Sequence, residues 1–448
     1  MIELPVLDRA PSAVPAWSDP AGWHLFETEG RSFVYVADGS RVFELDGESR
    51  AVLQSSDHDD EPFARLTSLG IPFQARVTDE PLRSPQTRAL SLAISQKCNL
   101  ACSYCYAQEG SFGGPAKAMP QEVAFRAVDF LLAQAAAGDR VNLSFLGGEP
   151  LTARQILCET VEYAEREAEI RQVRIGFSIT TNGTLVTQAD AEFFAKHGFA
   201  VTVSLDGGAE IHDRLRPHKN GSGTFAAILK NIRPLLERQR PMQVSARVTV
   251  TPRNLKLPQT LLEFVNLGFH SVGFSPMLAS PTGREELDSE GLEEMLIQMV
   301  DCGRLFEERT CRPERFPFSN MANAMAEIHR GTHRPYPCGA GAGYLGVSAD
   351  GDLAACHRFV GDEAGSMGDL AGGVDAERQN HWLGNRHVHR QEPCSSCWAR
   401  YLCGGGCHHE VIHRGRPACH YIRGWLEYCL GAYVRLQEQA PAYFEGLR

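Results

Sequence analysis

Cys98, Cys102 and Cys105 stand within eight residues, directly after the apolar run Ala89-Leu90-Ser91-Leu92-Ala93-Ile94-Ser95. Three thiolates at this spacing can hold three irons of a four-iron cluster, and no local fourth thiolate closes the last one. An open iron binds substrate, whereas a closed site only carries electrons or holds the fold. Structural zinc, the ordinary reading of clustered cysteines, usually takes CxxC pairs that supply four ligands. The triplet lacks that second pair, so its spacing predicts an iron–sulfur centre.

A second cysteine-rich stretch lies near the other end of the chain. Cys338 and Cys356 precede the run Cys394-x2-Cys397-x5-Cys403-x3-Cys407, and Cys419 follows after eleven residues. By spacing alone, Cys394, Cys397, Cys403 and Cys407 also read as a zinc knuckle. Glycine is dense here and regular periodicity lapses from about residue 335 until a closing helix near 421–437. Such a segment needs metal ligation, because a large apolar core is not available to hold it.

Between these regions a strand–helix alternation supplies the scaffold. Strands are predicted at 90–95, 141–145, 174–180, 200–205, 244–250 and 271–274. Helices are predicted at 121–134, 153–168, 188–196, 224–236 and 257–267, with a further run at 286–308. Six alternating units imply parallel strands in a partial (β/α)6 barrel, with chemistry at the C-terminal strand ends. The triplet follows the first strand, on that side. Gly147-Gly148-Glu149-Pro150 follows the second, Thr180-Thr181-Asn182-Gly183 the third and Ser204-Leu205-Asp206-Gly207 the fourth. Each is by itself an ordinary turn. Together on one rim they place polar groups where a sugar or an amino acid would be held.

The first eighty residues read differently. Short aromatic or alternating strands at 23–27, 32–36 and 41–45 are joined by the turns Glu29-Gly30 and Asp38-Gly39-Ser40. Helical stretches follow near 48–54 and 61–69. The expected division is 1–82, a small α+β module; 83–334, the partial barrel; and 335–448, a Cys-rich domain with its closing helix.

Bulk properties narrow the class. The 448 residues carry 44 basic and 55 acidic side chains, for a net charge of −11. That balance argues against a general nucleic-acid or anionic-membrane partner. Met-Ile-Glu-Leu-Pro at the start shows no signal peptide, and no apolar run reaches membrane-spanning length. Fourteen cysteines without an export signal point to metal or redox use. The cytoplasm is the expected compartment.

The triplet, with Tyr104 before its last cysteine, and Gly147-Gly148-Glu149-Pro150 resemble the radical S-adenosylmethionine superfamily. The resemblance implies a cluster whose open iron chelates S-adenosylmethionine, which is cleaved to a deoxyadenosyl radical that abstracts hydrogen. It also implies that Gly147, Gly148 and Glu149 bind the methionyl ammonium. Ser204 and Asp206 would lie near the carboxylate or ribose, and Arg216 would pair with the carboxylate. The C-terminal cysteine order is similar to the SPASM extension, which holds two auxiliary clusters, making three 4Fe–4S clusters in all. Carried over, Cys338, Cys356 and Cys407 would ligate the first, and Cys394, Cys397, Cys403 and Cys419 the second. Some SPASM enzymes add a cysteine six residues before the Cys338 position, where this chain has Thr332. An iron there is then open to a substrate thiolate, unless Cys302, Cys311 or Cys429, or His333 or His357, completes it. Each spare cysteine, like Cys158, has a buried small-hydrophobe role as its bland alternative.

The segments from Cys356 to Asp362 and from Cys397 to Glu410 resemble thioether-forming SPASM maturases, most of all the quinohemoprotein amine dehydrogenase maturation family. That family joins cysteine sulfur to side-chain carbons of Asp or Glu. The resemblance implies a peptide or small protein substrate and an external donor of flavodoxin or ferredoxin type. It also implies a winged-helix-like N-terminal module that takes a leader segment by β-augmentation. Two alternatives stand beside it: a sulfatase-maturing oxidase that makes formylglycine, and a non-catalytic zinc-ribbon binding protein.

Overall fold

The six strands expected of the barrel fall side by side in one sheet. The computed structural model describes residues 22–55, 62–312 and 315–447. The first five residues, whose lack of a signal sequence was noted above, lie outside them, as does Glu61 at the start of the second predicted helix.

The N-terminal module is an antiparallel meander of β1 (Trp23–Thr28), β2 (Arg31–Val36) and β3 (Arg41–Leu45). Helices α1 (Gly47–Gln54) and α2 (Pro62–Ser68) follow. The Asp46 carboxylate caps α1 by accepting from Ser49 N at 2.8 Å. Trp23, Val34, Val36, Leu45, Leu53, Leu66 and Ile71 form its own small core.

In the main sheet, β4 (Ala89–Gln96), β6 (Arg140–Gly147), β7 (Arg174–Thr181), β8 (Ala200–Ser204), β9 (Gln243–Val250) and β10 (Ser271–Pro276) are parallel and neighbours in chain order. A two-residue β5 (Lys117–Ala118) pairs antiparallel with β4. The crossover helices are α3 (Gln121–Ala133), α4 (Arg154–Ile170), α5 (Gln188–Lys196), α6 (Ala209–Leu215), α7 (Phe225–Glu237) and α8 (Leu257–Asn266). Each crossover returns the chain to the same edge, so every strand end delivers its loop to one rim. The mixed α/β class and the partial barrel are as expected from the strand–helix alternation.

The C-terminal quarter is more regular than its sequence suggests, and here the expected lapse in periodicity is corrected. After α9 (Ser289–Thr310) and α10 (Ser319–Arg330), strand β11 (Tyr344–Val347) pairs parallel with β4. Strands β12 (Asp352–Ala354), β13 (Ser366–Asp369) and β14 (Gly373–Val374) then extend the sheet antiparallel. Helices α11 (Ala376–Arg386), α12 (Arg400–Cys403), α13 (His408–Arg414) and α14 (Cys419–Gln439) complete the region. Strands of two to four residues and polar, glycine-punctuated helices leave too few turns for periodicity to register. Among the described residues no helix is long and apolar enough to cross a membrane.

The N-terminal meander is bolted to this region. Arg400 donates to Asp38 at 2.9 Å, with both side chains almost fully buried. His24 stacks on Trp398 at 4.0 Å, and Gly39 N donates to His333 Nε2 at 3.0 Å. Arg400 and Trp398 lie between Cys397 and Cys403, so the meander's β2–β3 turn braces that cysteine loop. Removing one partner of a buried ion pair costs about 3–5 kcal/mol. Arg400→Met is therefore expected to lower stability by that order in a chemical denaturation curve, and an unchanged midpoint would contradict the bracing role.

Candidate functional site

The triplet sits on the loop after β4, held from two sides. On one side, Ala101 N donates to Pro217 O at 2.9 Å and Ser103 N to Leu215 O at 3.1 Å. On the other, Gly148 N donates to Ser95 O at 2.8 Å and Glu149 N to Lys97 O at 3.0 Å. The glycine pair is what permits the second contact. A Cβ on Gly147 would lie 2.2 Å from Ser95 O, and one on Gly148 would lie 2.3 Å from Lys97 O. Gly147 also holds φ +138°, which disfavours other residues. The Gly-Gly turn thus presses against the cysteine loop itself. Gly148→Ala is expected to displace that loop and cut iron retained by the triplet more than about tenfold, read as iron per chain after reconstitution. Unchanged iron content would show the loop does not depend on this packing.

Glu149 is fully buried. Its carboxylate accepts from Leu151 N at 3.1 Å, Thr181 Oγ1 at 2.8 Å and Asn182 N at 2.7 Å. It therefore ties the end of β6 to the end of β7. Burial raises its pKa, and those three donors pull it back. Asn182 Nδ2 in turn reaches Asn99 Oδ1 at 2.9 Å and Cys98 Sγ at 3.7 Å. The third rim loop is thereby in direct contact with the triplet.

Tyr104, Asp206 and Arg216 form a buried group beneath the cysteines. The Tyr104 hydroxyl donates to Asp206, Arg216 Nη1 donates to Tyr104 at 2.6 Å, and Arg216 faces Asp206 at 3.8 Å. Thr249 N donates to the other Asp206 oxygen at 3.0 Å. Burial raises the Asp206 pKa, opposed chiefly by Arg216. Ser204 lies half-buried at the end of β8, level with Arg247 of β9. Helix α6, which the sequence reading passed over, is what carries the chain to Arg216.

Burial disfavours bare thiolates at the triplet. Burial raises Cys98 and pushes Cys102 up to about 12, with Arg216 opposing the latter. Thiols so placed become thiolates only against a cation. Arg216 Nε is also buried without a partner, an orphaned donor that an anionic group on this rim would satisfy.

The C-terminal thiols fall into two groups. Burial pushes Cys356 up to about 12, with Cys407 and Cys338 adding to the shift. Burial likewise pushes Cys394 up to about 12; Arg416 opposes it, while Cys403, Cys397 and Cys419 add to it. Cys394, Cys397, Cys403, Cys407 and Cys419 all line one cavity, together with Arg416.

The spare cysteines are elsewhere. Cys302 and Cys429 are fully buried on α9 and α14, and Cys429 Sγ lies 3.9 Å from Met321 Sδ. Exposed Cys311 lies 4.0 Å from the Gln439 side chain. None of the three is among the neighbours that shift Cys338 or Cys356. His333 is engaged by Gly39 N and Gly331 O. His357, bonded to Tyr344 at 2.8 Å, stays beside the first group.

Between the triplet and that group lie residues the sequence reading did not single out. Tyr106 packs edge-on to His357 at 5.9 Å, under the Arg358 guanidinium. Arg358 donates to Glu410 at 2.7 Å and points at Cys407 Sγ at 3.7 Å. Arg247 stands on the lumen face of β9, opposite the buried Val244, Ala246, Val248 and Val250. A single charge among small residues on that face is the signal that marks it in sequence.

A curved parallel sheet with a cysteine triplet on its C-terminal rim defines the class. Residues 92–265 match the model of the Radical SAM superfamily. The chain is an enzyme with a radical S-adenosylmethionine domain, and such a domain implies a four-iron cluster and S-adenosylmethionine.

Similar curated proteins include sulfatase-maturating enzymes. The serine-type anaerobic sulfatase-maturating enzyme of Klebsiella pneumoniae is 28% identical over 355 residues, covering 77% of this chain and 86% of that protein. The serine-type enzyme of Bacteroides thetaiotaomicron is 26% identical, covering 78% and 88%. Two solved structures share the fold. One, anSMEcpe with bound AdoMet and Cp18Cys peptide, has TM-score 0.64 and 21% identity, covering 80% of this chain and 100% of that one. The other, Streptococcus suis SuiB bound to precursor peptide SuiA, has TM-score 0.53 and 15% identity, covering 89% and 97%.

Proposed function

We propose that this enzyme closes thioether bonds within a peptide or small protein, joining a cysteine sulfur to a side-chain carbon of Asp or Glu. The observation that carries this reading is the first C-terminal thiol group. Cys338, Cys356 and Cys407 gather there, Thr332 stands where a fourth cysteine would come, and the spare cysteines are remote. Three thiolates leave one iron for a soft substrate ligand, which a substrate cysteine supplies.

In this reading Cys98, Cys102 and Cys105 hold the first cluster. The backbone of Gly147, Gly148 and Glu149 and the Arg216 guanidinium receive the methionyl end of S-adenosylmethionine, with Ser204 beside it. Asp206 orients Arg216 through Tyr104. Cys394, Cys397, Cys403 and Cys419 hold the remaining cluster. Bound S-adenosylmethionine supplies hydrogen abstraction, and the auxiliary centres supply an electron acceptor. A flavodoxin- or ferredoxin-type protein supplies the reducing electron. The exposed edge of the N-terminal meander receives the substrate's leader by strand addition. The division into module, barrel and cluster domain at residues 82 and 334 belongs to the same proposal.

Sulfur geometry speaks for clusters over zinc. Four thiolates on one zinc at about 2.3 Å lie about 3.8 Å apart. Among the described residues no three cysteine sulfurs lie within 4.8 Å of one another.

Arg247 supports an acidic acceptor residue. Its side chain is open to solvent on the lumen face, yet the surrounding protein lowers its pKa with only Glu410 opposing, and no carboxylate lies within ion-pair distance of it among the described residues. A charge-assisted bond to a substrate carboxylate contributes about 1.5–3 kcal/mol. Arg247→Met is expected to lower kcat/KM by about 10- to 150-fold on that basis. Peptide-independent S-adenosylmethionine cleavage should be unchanged, and a substrate with Gln at the acceptor position should show little difference. Equal losses on both substrates would remove this role.

The second reading, formylglycine formation, is favoured by the names of the similar curated enzymes. Product mass and a thiol count together separate the two, because oxidation of a serine to formylglycine also removes two hydrogens but spares every thiol. A small Cys- and Asp/Glu-rich protein encoded beside this gene, incubated with the reconstituted enzyme, should lose two hydrogens and one titratable thiol per bond and keep its sulfur. Loss of sulfur from a cysteine, there or in the Cp18Cys peptide, would establish the oxidase instead.

A further inference from the structure

Asp362, His409 and His413 converge next to the first C-terminal thiol group, and nothing in the cluster chemistry uses them. One ligand atom from each lies within 4.8 Å of the other two. His413 Nε2 meets Asp362 Oδ2 at 2.7 Å, and the two imidazole centroids are 4.5 Å apart. The histidines are four residues apart on α13, which places both on one helical face. Asp362 belongs to the turn after Cys356, where its other oxygen accepts from Ala364 N at 3.0 Å. Phe359 floors the site, 5.0 Å from His409 and 6.1 Å from His413.

Two features distinguish this from a surface His–Asp pair. His409 Nδ1 is buried with no hydrogen-bond partner, a cost that proteins ordinarily avoid. In addition, the third group adds nothing to a two-residue hydrogen bond but completes a set of two imidazoles and one carboxylate, the ligand mixture of zinc and related divalent ions. Around such an ion, ligand atoms at about 2.0–2.2 Å sit roughly 3.4 Å apart. Side-chain rotation of the exposed His413 provides the needed opening.

We propose that Asp362, His409 and His413 bind a divalent transition-metal ion of the zinc class, separate from the iron–sulfur centres. The ion clasps the segment that carries Cys356 to the helix that follows Cys407. Those two cysteines belong to the same thiol group, so the clasp fixes their separation. The neighbouring Arg358–Glu410 ion pair joins the same two segments. With His413 exposed, the ion is reachable from solvent and keeps room for water.

The test is metal analysis of the iron-loaded enzyme after one equivalent of zinc and desalting. Wild type should retain about one zinc per chain, and His413→Ala and Asp362→Asn should each retain more than about tenfold less. Iron content and S-adenosylmethionine cleavage should match wild type in both variants. Thermal unfolding should rise on zinc addition for wild type alone. Equal zinc in wild type and both variants would overturn the proposal, as would zinc gained only in step with iron lost.

Discussion

Cys98→Ala is expected to abolish S-adenosylmethionine cleavage, by a factor of at least about 10³. The triplet offers only three thiolates, and two do not hold a cluster that must also carry substrate on its open iron. Cys98 also meets Asn182 and so links the third rim loop to the centre. Its side chain is only half-buried on a loop, so the barrel core does not depend on it. The measurement is 5′-deoxyadenosine released per chain after anaerobic reconstitution, with circular dichroism as the fold control. Cys158→Ala supplies the contrast. That thiol lies half-buried on α4 with carboxylates and Arg154 as its charged neighbours, and its loss should leave cleavage intact. Residual cleavage above a few per cent in the Cys98 variant would move the radical chemistry elsewhere.

Cys338→Ala separates initiation from bond formation. Cys338 belongs to the first C-terminal group, on the far side of Tyr106 and His357 from the triplet. S-adenosylmethionine cleavage should therefore stay within about threefold of wild type, while cross-linked product falls by more than about 100-fold. A parallel fall in both would mean that the group only stabilises the fold. Intact product would mean that it plays no part in closing the bond.

The barrel was legible because its strands are near-continuous apolar runs and its helices have one buried face. All six parallel strands and the five expected crossover helices lie within two residues of their sequence-based bounds. Helix α6 escaped notice because it has seven residues and only His212 and Leu215 buried. Strands β11 to β14 are too short to show alternation, and α11 buries only Gln379, Trp382 and Leu383. Spacing marked the cysteines as ligands, and the family resemblance divided the C-terminal seven into three and four; in the structure Cys407 and Cys338 are neighbours of Cys356, while Cys407 also lines the cavity of the other four. Gly147 and Gly148 were expected to approach a ligand, and their closest approach is to the backbone of the cysteine loop. Arg247 and the Asp362–His409–His413 cluster depend on strand parity and on a contact across about fifty residues of chain. Strand alternation is a local signal for the first; no local pattern carries the second.

The central claim is that Cys338, Cys356 and Cys407 leave an iron open to a substrate thiolate. Selenium X-ray absorption on the reconstituted enzyme, bound to a substrate peptide with selenocysteine in place of its reacting cysteine, tests this directly. The account predicts a selenium–iron scattering shell that disappears in Cys338→Ala and persists in Cys98→Ala. A spectrum with selenium–carbon scattering alone in the wild-type complex would contradict it.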